Sequence, residues 1–217
     1  MKKALMLTLA LCATFPLAQA QELKGDAAAG QKINAQCIGC HGIAGYQASF
    51  PEVHRVPMIS GQNARYIVAA LNEYKKGARK HGTMHAVASS LSDQNIADLA
   101  AYYAQQGHAA ATPEALAVQP PADVAALLTK GACASCHGAN FNKPIDGSYP
   151  KIAGQYPDYL FVALKAYKTE GNAHIGRGNA IMSGQVKQFS LKELRQMADF
   201  IASLPAEMQT VPQAKFR

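Results

Sequence analysis

The sequence predicts an all-α protein built from two tandem copies of one helical unit, and three observations support this prediction. Apolar residues recur at the helical period in several segments, and no alternating strand pattern of comparable length competes with them. A Cys-x-x-Cys-His segment occurs twice, at Cys37–His41 and at Cys133–His137. The chain around these segments also repeats, so that its 217 residues divide more naturally into two domains than one.

The two Cys-x-x-Cys-His segments have the spacing of covalent haem attachment. In such a site both thiols bond to the porphyrin, and the adjacent imidazole is held under the ring to ligate the iron. The residues assigned on this basis to two haem c groups are the attachment cysteines Cys37, Cys40, Cys133 and Cys136 and the iron-ligating histidines His41 and His137.

Two other uses of a Cys-x-x-Cys pair fit this sequence poorly. A structural zinc site usually has its second pair about 15 to 20 residues away, whereas the two pairs here are 96 residues apart. A thioredoxin-like redox pair requires a strand–helix–strand setting, and no β-rich segment flanks either motif.

The repeat extends beyond the cysteine segments. Pro57–Gln62 aligns with Pro150–Gln155 at an offset of 93 residues. The same offset relates three further positions of the two halves, which are Tyr66, Leu71 and Tyr74 with Tyr159, Leu164 and Tyr167. Between the copies, Gly107–Ala122 is rich in alanine and proline and suits a connector. We therefore place the boundary near residue 115, with an N-terminal domain over 21–114 and a C-terminal domain over 115–217.

Capping residues and apolar periodicity predict similar helices in both halves. The expected segments are a helix capped by Asp26 that runs through Gln36, a helix over Val124–Lys130 capped by Asp123, and the amphipathic helices Asn63–Lys76 and Asp158–Glu170. The clearest helix closes each half. Ser190 with Glu193 three residues later forms a capping-box pattern, and Ser92 begins the equivalent helix.

The N-terminus has the three parts of a secretory signal peptide. Met1–Lys3 is basic, Ala4–Ala18 is mainly apolar, and Ala18–Ala20 has the small-x-small form that signal peptidase recognises. We expect residues 1–20 to be cleaved off and the protein to work in a bacterial periplasm, since c-type haem is attached outside the cytoplasm. The apolar run is short for a membrane span, so the mature protein is expected to be soluble or peripherally associated with a membrane.

The charge disfavours a nucleic-acid partner. The full chain carries +7, and the loss of Lys2 and Lys3 with the leader lowers this to +5. No block of five or more basic residues is present. A weakly basic surface instead suits docking onto an acidic patch of a redox partner or onto an anionic membrane surface.

The ligand on the second side of each iron decides between an electron carrier and an enzyme. Met84 and Met182 occupy equivalent positions, 43 and 45 residues after their histidines, in Gly-, Ser- and Asn-containing segments that we expect to be loops. We predict that their thioethers ligate the two irons and give six-coordinate, low-spin centres of raised potential. Met197 lies on the apolar stripe of the last helix and is expected in the core, and Met208 has no counterpart.

Imidazole on both sides of each iron is the alternative. His81 and His174 also correspond if the 93-residue offset is carried forward, and haems ligated in this way would have lower potentials. The other histidines outside the haem motifs, His54, His85 and His108, have no counterpart and are expected to face solvent.

The orientation of the ligating imidazoles depends on a further hydrogen bond. Such a ring generally donates its second N–H to a backbone carbonyl. Pro57 and Pro150 follow the two histidines by a short loop and have free carbonyls, which either accept these bonds or simply end the loop.

These motifs resemble those of the cytochrome c4 family, the periplasmic two-haem c-type cytochromes. The resemblance lies in both haem motifs, in the repeated Gly-Gln loops followed by tyrosine, and in the late methionine before a capped helix. Gly25–Gly30 and Tyr149–Gln155 are also typical of the family. It implies two class I cytochrome c domains, each wrapped around one covalent haem, with the haems close enough to exchange electrons.

The resemblance also implies ligand pairs and partners. The pairs are His41 with Met84 and His137 with Met182, and electrons would pass toward a terminal oxidase or another membrane respiratory complex. This chain departs from the family in a longer loop from His41 to Pro57. That departure leaves the ligands intact and changes the surface on which a partner would dock.

Electron transfer without a substrate is the function that these observations favour, because both irons are expected to be saturated. A peroxidase-like dihaem enzyme, which needs an exchangeable sixth position, is the first alternative. A cytochrome subunit fixed to a dehydrogenase is the second, with the same haem chemistry and a permanent partner.

Overall fold

The computed structural model describes residues 23–107 and 115–213, which form ten helices and four strands of two residues each. The predicted all-α class is confirmed. The predicted leader over 1–20 and the middle of the connector, including His108, lie outside the described residues.

The first half begins with two short helices that lead into the first cysteine segment. Its elements are α1 (Ala27–Ile33), α2 (Ala35–His41), β1 (Gln47–Ala48), β2 (His54–Arg55), α3 (Ala64–Lys75), β3 (Arg79–Lys80), α4 (Gly82–Ser89) and α5 (Asp93–Ala104). Helix α5 packs against α1 and α3. Ile96 and Leu99 of α5, each 1% exposed, lie at the centre of this core.

The second half repeats this order without the hairpin β1–β2. Its elements are α6 (Ala122–Lys130), α7 (Cys133–His137), α8 (Pro157–Lys168), β4 (Gly176–Arg177), α9 (Ala180–Val186) and α10 (Leu191–Ala202). Helix α10 packs against α8 and α6. Leu194, Met197 and Ala198 of α10 are buried in its core, which confirms the expected place of Met197.

The predicted caps are mostly correct. Asp26 caps α1, and Ser190 with Glu193 forms the capping box of α10. The predicted helix from Asp26 through Gln36 is interrupted at Asn34, which is buried and lies between α1 and α2. Asp123 does not cap α6, because Pro121 is already the N-cap and Asp123 falls in the first turn.

Close packing of α1 on α5 sets the position of the first cysteine segment. A Cβ atom added to Gly30 of α1 would lie only 2.2 Å from the carbonyl oxygen of Asp98 on α5. Asp98 also accepts a hydrogen bond from the backbone N–H of Asp26 through its carboxylate, at 2.8 Å. The start of α1 is thus fixed to α5, and α2 follows directly from it.

A symmetrical exchange of hydrogen bonds joins the two halves. The Gln62 side chain donates to the carbonyl of Lys151 and accepts from its N–H, both at 2.9 Å. Gln155 makes the same two bonds to the backbone of Met58, at 2.9 and 3.0 Å. Both glutamines are buried. The repeated Gly-Gln loops therefore form the junction between the copies.

The long loop after His41 also packs on the second half. Arg55 forms an ion pair with Asp158 of α8 at 2.9 Å, and Glu52 pairs with Lys165. His54 is 5% exposed, so the expectation that it faces solvent is wrong. Its Nδ1 hydrogen-bonds the carbonyl oxygen of Glu52 in the same loop. This loop therefore forms a contact between the two halves. The sequence did not predict this contact, because the loop has no periodic pattern.

The C-terminal tail returns to the first half. The backbone N–H of Gln209 donates to the carbonyl of Ser60 at 3.0 Å, and the Gln213 side chain donates to the Tyr102 hydroxyl at 2.6 Å. Met208, 1% exposed, lies beside the Gln62 amide, with 3.1 Å between its sulfur and the amide nitrogen. By position the tail belongs to the predicted second domain, yet it packs on the first.

The longest helices over 23–107 and 115–213 have twelve residues, and none has the length and apolar character needed to cross a membrane.

Candidate haem sites

The first cysteine segment lies on α2, where one helix carries both thiols and the histidine. Cys37 packs against the core around α5. Burial raises the pKa of its thiol to about 11, so this protonated thiol is not poised as a free nucleophile. Both cysteines of the segment are free thiols.

The second cysteine segment forms the short helix α7 between two residues with positive φ. Ala132 precedes it at φ 47°, and Gly138 follows it at φ 82°. A Cβ at Gly138 would lie 2.0 Å from the carbonyl oxygen of Lys143, so glycine is required there for the chain to turn back. Cys133 packs against the core of the second half and, like Cys136, is a free thiol.

The histidines of the two cysteine segments have equivalent hydrogen-bond partners, in each case the backbone carbonyl of a proline. His41 Nδ1 lies 2.9 Å from the carbonyl oxygen of Pro57, and His137 Nδ1 lies 2.9 Å from that of Pro150. Of the two alternatives given for these prolines, the structure shows the one in which their carbonyls accept the imidazole N–H. A carbonyl can only accept, so Nδ1 carries the proton and Nε2 keeps a lone pair for a metal.

The environment keeps both rings neutral. Burial lowers the pKa of His41 and of His137, and this effect exceeds the opposing effect of the hydrogen bonds to Pro57 and Pro150. Metal ligation requires the neutral form, because a protonated imidazole has no lone pair to donate. The two sites thus present a ring of fixed orientation in the correct charge state.

The predicted loops around Met84 and Met182 are in fact short helices. Met84 lies in the first turn of α4 and Met182 in the first turn of α9. The N-caps are His81 and Asn179, whose side chains accept from the backbone N–H of the methionine three residues later, at 3.4 and 3.0 Å. Both methionines are half-buried, and Met182 packs against the core cluster that Cys133 also contacts.

This capping geometry changes the apparent correspondence of the histidines. His81 is equivalent to Asn179 at an offset of 98, the same offset that relates Met84 to Met182. His174 lies elsewhere, exposed in the segment before β4. His81 and His174 therefore do not occupy equivalent positions in the two halves. The alternative of imidazole on both sides of each iron assumed that they did. His85 is exposed, as expected.

Sequence reasoning missed a cluster of arginines and tyrosines between the halves. Arg79 on β3 and Arg177 on β4 are paired positions of an antiparallel ladder. Each guanidinium lies over two tyrosine rings of its own half, which are those of Tyr66 and Tyr74 for Arg79 and of Tyr159 and Tyr167 for Arg177. The 98-residue offset that relates the methionines also relates these arginines, and it could have revealed them.

The donor set fits a covalently attached haem. Each half offers two free thiols one helical turn apart and a neutral imidazole with Nε2 available. In the part of the chain that the structure describes, the Tyr103 hydroxyl is the one buried side-chain polar atom without a hydrogen-bond partner. This hydroxyl lies beside the thiol of Cys37, one of the two attachment cysteines of the first half.

Two such halves in one chain define a protein of the c-type cytochrome class. The family model described as cytochrome c matches twice, over residues 27–106 and 121–205. The chain belongs to the cytochrome c family and, within it, to the cytochrome c4 proteins. It is a dihaem c-type cytochrome that carries two covalently bound haem c groups and transfers electrons.

Several relatives support this assignment. Cytochrome c4 of Azotobacter vinelandii is 30% identical over 217 residues, which cover 94% of this chain and 100% of that protein. The crystal structure of reduced recombinant cytochrome c4 from Pseudomonas stutzeri has a TM-score of 0.58 and 26% identity, covering 83% of this chain and 100% of that one. A thiosulfate dehydrogenase electron acceptor of Stutzerimonas stutzeri (strain A1501) is 27% identical, covering 84% of this chain and 89% of the relative.

Proposed function

We propose that this chain is a periplasmic electron carrier in which each haem iron is ligated by one histidine and one methionine. The pairs are His41 with Met84 and His137 with Met182, and the thioether bonds form at Cys37, Cys40, Cys133 and Cys136. The observation that carries the proposal is the repeated bond from His41 to Pro57 and from His137 to Pro150, each at 2.9 Å.

The haem supplies a one-electron ferrous–ferric couple when bound. The protein residues determine how that couple behaves. A carbonyl-bound imidazole cannot rotate, and a thioether is a soft ligand that favours ferrous iron and a higher potential. If His41 with Met84 and His137 with Met182 hold the two irons, no position on either iron would remain for a substrate, and we infer that the protein is not an enzyme.

The junction between the halves supports electron exchange between two fixed centres. The reciprocal bonds of Gln62 and Gln155 and the Arg55–Asp158 ion pair connect the halves through buried and half-buried groups. A junction with so many specific bonds keeps the separation and orientation of the two sites constant, so an electron crosses without domain motion.

The cellular setting follows from the leader and the family. We propose export through residues 1–20, cleavage after Ala20, and mature domains over 21–114 and 115–217. We also propose a role between a respiratory donor and a terminal oxidase, as the resemblance to the cytochrome c4 family implies, through a small transient interface of the kind that redox encounters use.

A second role is favoured by one comparison. A relative that matches 84% of this chain is named a thiosulfate dehydrogenase electron acceptor. An acceptor or fixed subunit of a dehydrogenase needs the same two haem sites. Purification of the native protein distinguishes the two roles, because a fixed subunit copurifies with a dehydrogenase in constant ratio and a free carrier does not.

The carrier proposal is tested on full-length protein matured with its haem. We expect two covalently bound haems per chain, and a ferrous spectrum that carbon monoxide leaves unchanged. A vacant or weakly held sixth position would bind carbon monoxide at once and shift the spectrum. That result, or fewer than two haems per chain, would overturn the proposal in favour of the enzyme alternative.

A further inference from the structure

The side chain of Tyr103 ends in a buried hydroxyl that the fold leaves without a hydrogen-bond partner. Tyr103 lies on α5 and is 4% exposed. Over residues 23–107 and 115–213, its hydroxyl is the one buried side-chain nitrogen or oxygen atom that has no partner. An unpaired hydroxyl is unfavourable inside a protein, because burial removes the water to which it would otherwise bond. Native proteins rarely keep such an atom, so we expect a partner in the mature protein.

The polar group beside this hydroxyl is the thiol of Cys37. Cys37 packs against the core cluster that contains Tyr103. Burial raises the pKa of Tyr103 above its ordinary range, and the neighbouring Cys37 thiol raises it further. Burial also raises the pKa of Cys37, whereas the Tyr103 hydroxyl lowers it. These opposite signs are those of a hydroxyl whose hydrogen is directed toward the sulfur.

The backbone and a neighbouring ring hold Tyr103 in this place. The carbonyl of Tyr103 accepts a hydrogen bond from the N–H of Gly61 at 2.7 Å. Gly61 belongs to the loop Pro57–Gln62, whose first residue accepts from His41. The Tyr103 ring packs edge-on against that of Tyr102, with 5.1 Å between the ring centres. Tyr103 is thus fixed to the same loop that orients the His41 imidazole.

The second half has an apolar residue at the equivalent position. Ile201 follows Tyr103 by 98 residues, the offset that also relates the two methionines. The carbonyl of Ile201 accepts from the N–H of Gly154 at 2.9 Å, which repeats the bond between Gly61 and Tyr103. Ile201 is buried in the core against which Cys133 packs. The side chain at this position therefore offers no donor to Cys133.

A serine hydroxyl near the other thiol of the second half is already engaged. Ser135 Oγ lies 3.9 Å from Cys136 Sγ. The same hydroxyl donates to the carbonyl of Ala132 at 2.6 Å. A hydroxyl has a single proton, so Ser135 has none left for the sulfur. The hydroxyl of Tyr103 thus distinguishes the first cysteine segment from the second.

We propose that the Tyr103 hydroxyl donates a hydrogen bond to the Cys37 sulfur once that sulfur is bonded to the haem, and that Tyr103 is thereby a positioning residue of the first haem alone. The inference rests on the proposed function. In the thioether, a carbon of the haem replaces the proton of the thiol. The sulfur then keeps its lone pairs and can only accept. The unpaired hydroxyl of Tyr103 is the donor that lies beside it.

Donation to this sulfur affects both the haem potential and the stability. A hydrogen bond withdraws electron density from the sulfur, so the attached ring donates less to its iron and the ferrous form is favoured. Loss of the hydroxyl should therefore lower the reduction potential of the first haem. It should also destabilise the protein, because a bonded hydroxyl is lost. Removal of an unpaired hydroxyl would instead stabilise the protein.

The test uses the full dihaem protein and the variant Tyr103→Phe, which removes the hydroxyl and keeps the ring. We expect a lower thermal-unfolding midpoint, a lower value for one of the two midpoint potentials, and no change in the other. Tyr102→Phe is the matched control, because it removes a hydroxyl of the same helix that bonds Gln213 rather than a cysteine. The control should leave both potentials at the parent values.

Resonance Raman spectroscopy of the carbon–sulfur bonds gives a readout that a merely structural role would not change. The parent protein, whose haems stay covalently bound, is unfolded in urea in D2O and refolded, so that its buried hydroxyl carries deuterium. We expect one carbon–sulfur band to shift only after refolding, since sulfurs that face solvent respond to D2O at once. This shift should be absent in Tyr103→Phe. If that variant does not accumulate, the parent alone decides, and bands that do not move on refolding overturn the proposal.

The outcomes for this inference and for the proposed function are separable. A higher unfolding midpoint for Tyr103→Phe, or two potentials that do not move, would overturn the role of Tyr103. Two covalent haems and the far-red band of methionine-ligated ferric iron in the same samples would then leave the proposed function standing. Absence of that band from the parent protein would instead refute the proposed function.

Discussion

Gln62 and Gln155 each hydrogen-bond the backbone of the opposite half, and the four bonds of this exchange are 2.9 to 3.0 Å long. The two residues are the last of the repeated loops Pro57–Gln62 and Pro150–Gln155. The proline at the start of each loop accepts a hydrogen bond from the histidine of its own half. The glutamine at the end of each loop hydrogen-bonds the backbone of the other half. One short loop thus fixes both the imidazole orientation and the relation between the two haem sites.

Loss of one glutamine is expected to weaken this junction. Gln155→Ala leaves the N–H and the carbonyl of Met58 without their partner, and an unsatisfied buried group costs about 1–3 kcal/mol. We expect a lower free energy of unfolding in urea, measured by circular dichroism. Gln188→Ala, at an exposed position, is the control and should match the parent. Equal stability of the two variants would contradict the role of Gln155.

The tail residue Met208 is expected to contribute to the same junction. It is 1% exposed and contacts the amide of Gln62. Met208→Ala should destabilise the protein by about 2–5 kcal/mol, because truncation leaves a cavity. Met208→Leu keeps the volume and should cost less than about 1.5 kcal/mol. Thermal unfolding of both variants measures this difference, and near-equal loss in the two would argue against a packed site.

The Arg55–Asp158 ion pair predicts a specific dependence of stability on pH. Burial alone would raise the pKa of Asp158, but the hydrogen bonds and charge of Arg55 outweigh it and hold the pKa below its usual range. The pair therefore contributes stability above the ordinary carboxyl pKa of about 3.9 and loses it as the pH falls through the lower folded value.

Replacement of this carboxylate should remove that dependence. Asp158→Asn is expected to be less stable than the parent at pH 7, and the gap should close as the pH falls below about 4. Urea unfolding at a series of pH values measures the gap. Asp199→Asn, at an exposed position of α10, is the control. A gap that stays constant over this range would show that ionisation of Asp158 is not involved.

The capping box of α10 should make a measurable contribution to the free energy of unfolding. The Ser190 side chain accepts from the backbone N–H of Glu193, whose carboxylate accepts from the backbone N–H of Ser190. Ser190→Ala should lower the free energy of unfolding by about 1 kcal/mol. Lys192→Ala, at an exposed position of the same turn, should change it far less. Indistinguishable variants would contradict the capping role.

Local signals in the sequence were enough to predict the parts of the site that depend on neighbouring residues. The cysteine segments and the capping box at Ser190 follow from spacing and elementary hydrogen bonding. The same reasoning gave the carbonyls of Pro57 and Pro150 as imidazole partners in one of two alternatives, and the structure decides between them. The helices around Met84 and Met182 were missed because they have only eight and seven residues and depend on side-chain caps rather than on a long apolar stripe.

Contacts between the halves could not be predicted in this way. Arg55 and Asp158 are 103 residues apart, and no periodic pattern relates them. His54 has no counterpart in the repeat, and it is buried because its loop folds onto α8. Arg79 and Arg177 were detectable in principle, since they share the offset of the methionines, but their meeting on one ladder depends on how the two halves dock.

The far-red sulfur-to-iron absorption band of the ferric protein tests the central claim most directly. We predict that Met84→Ala and Met182→Ala each remove part of this band and that the double variant removes all of it. Met197→Leu, a volume-conserving change in the core, should leave the band intact. A ferric protein that lacks the band, or keeps it unchanged in the Met84 and Met182 variants, would contradict ligation of each iron by histidine and methionine.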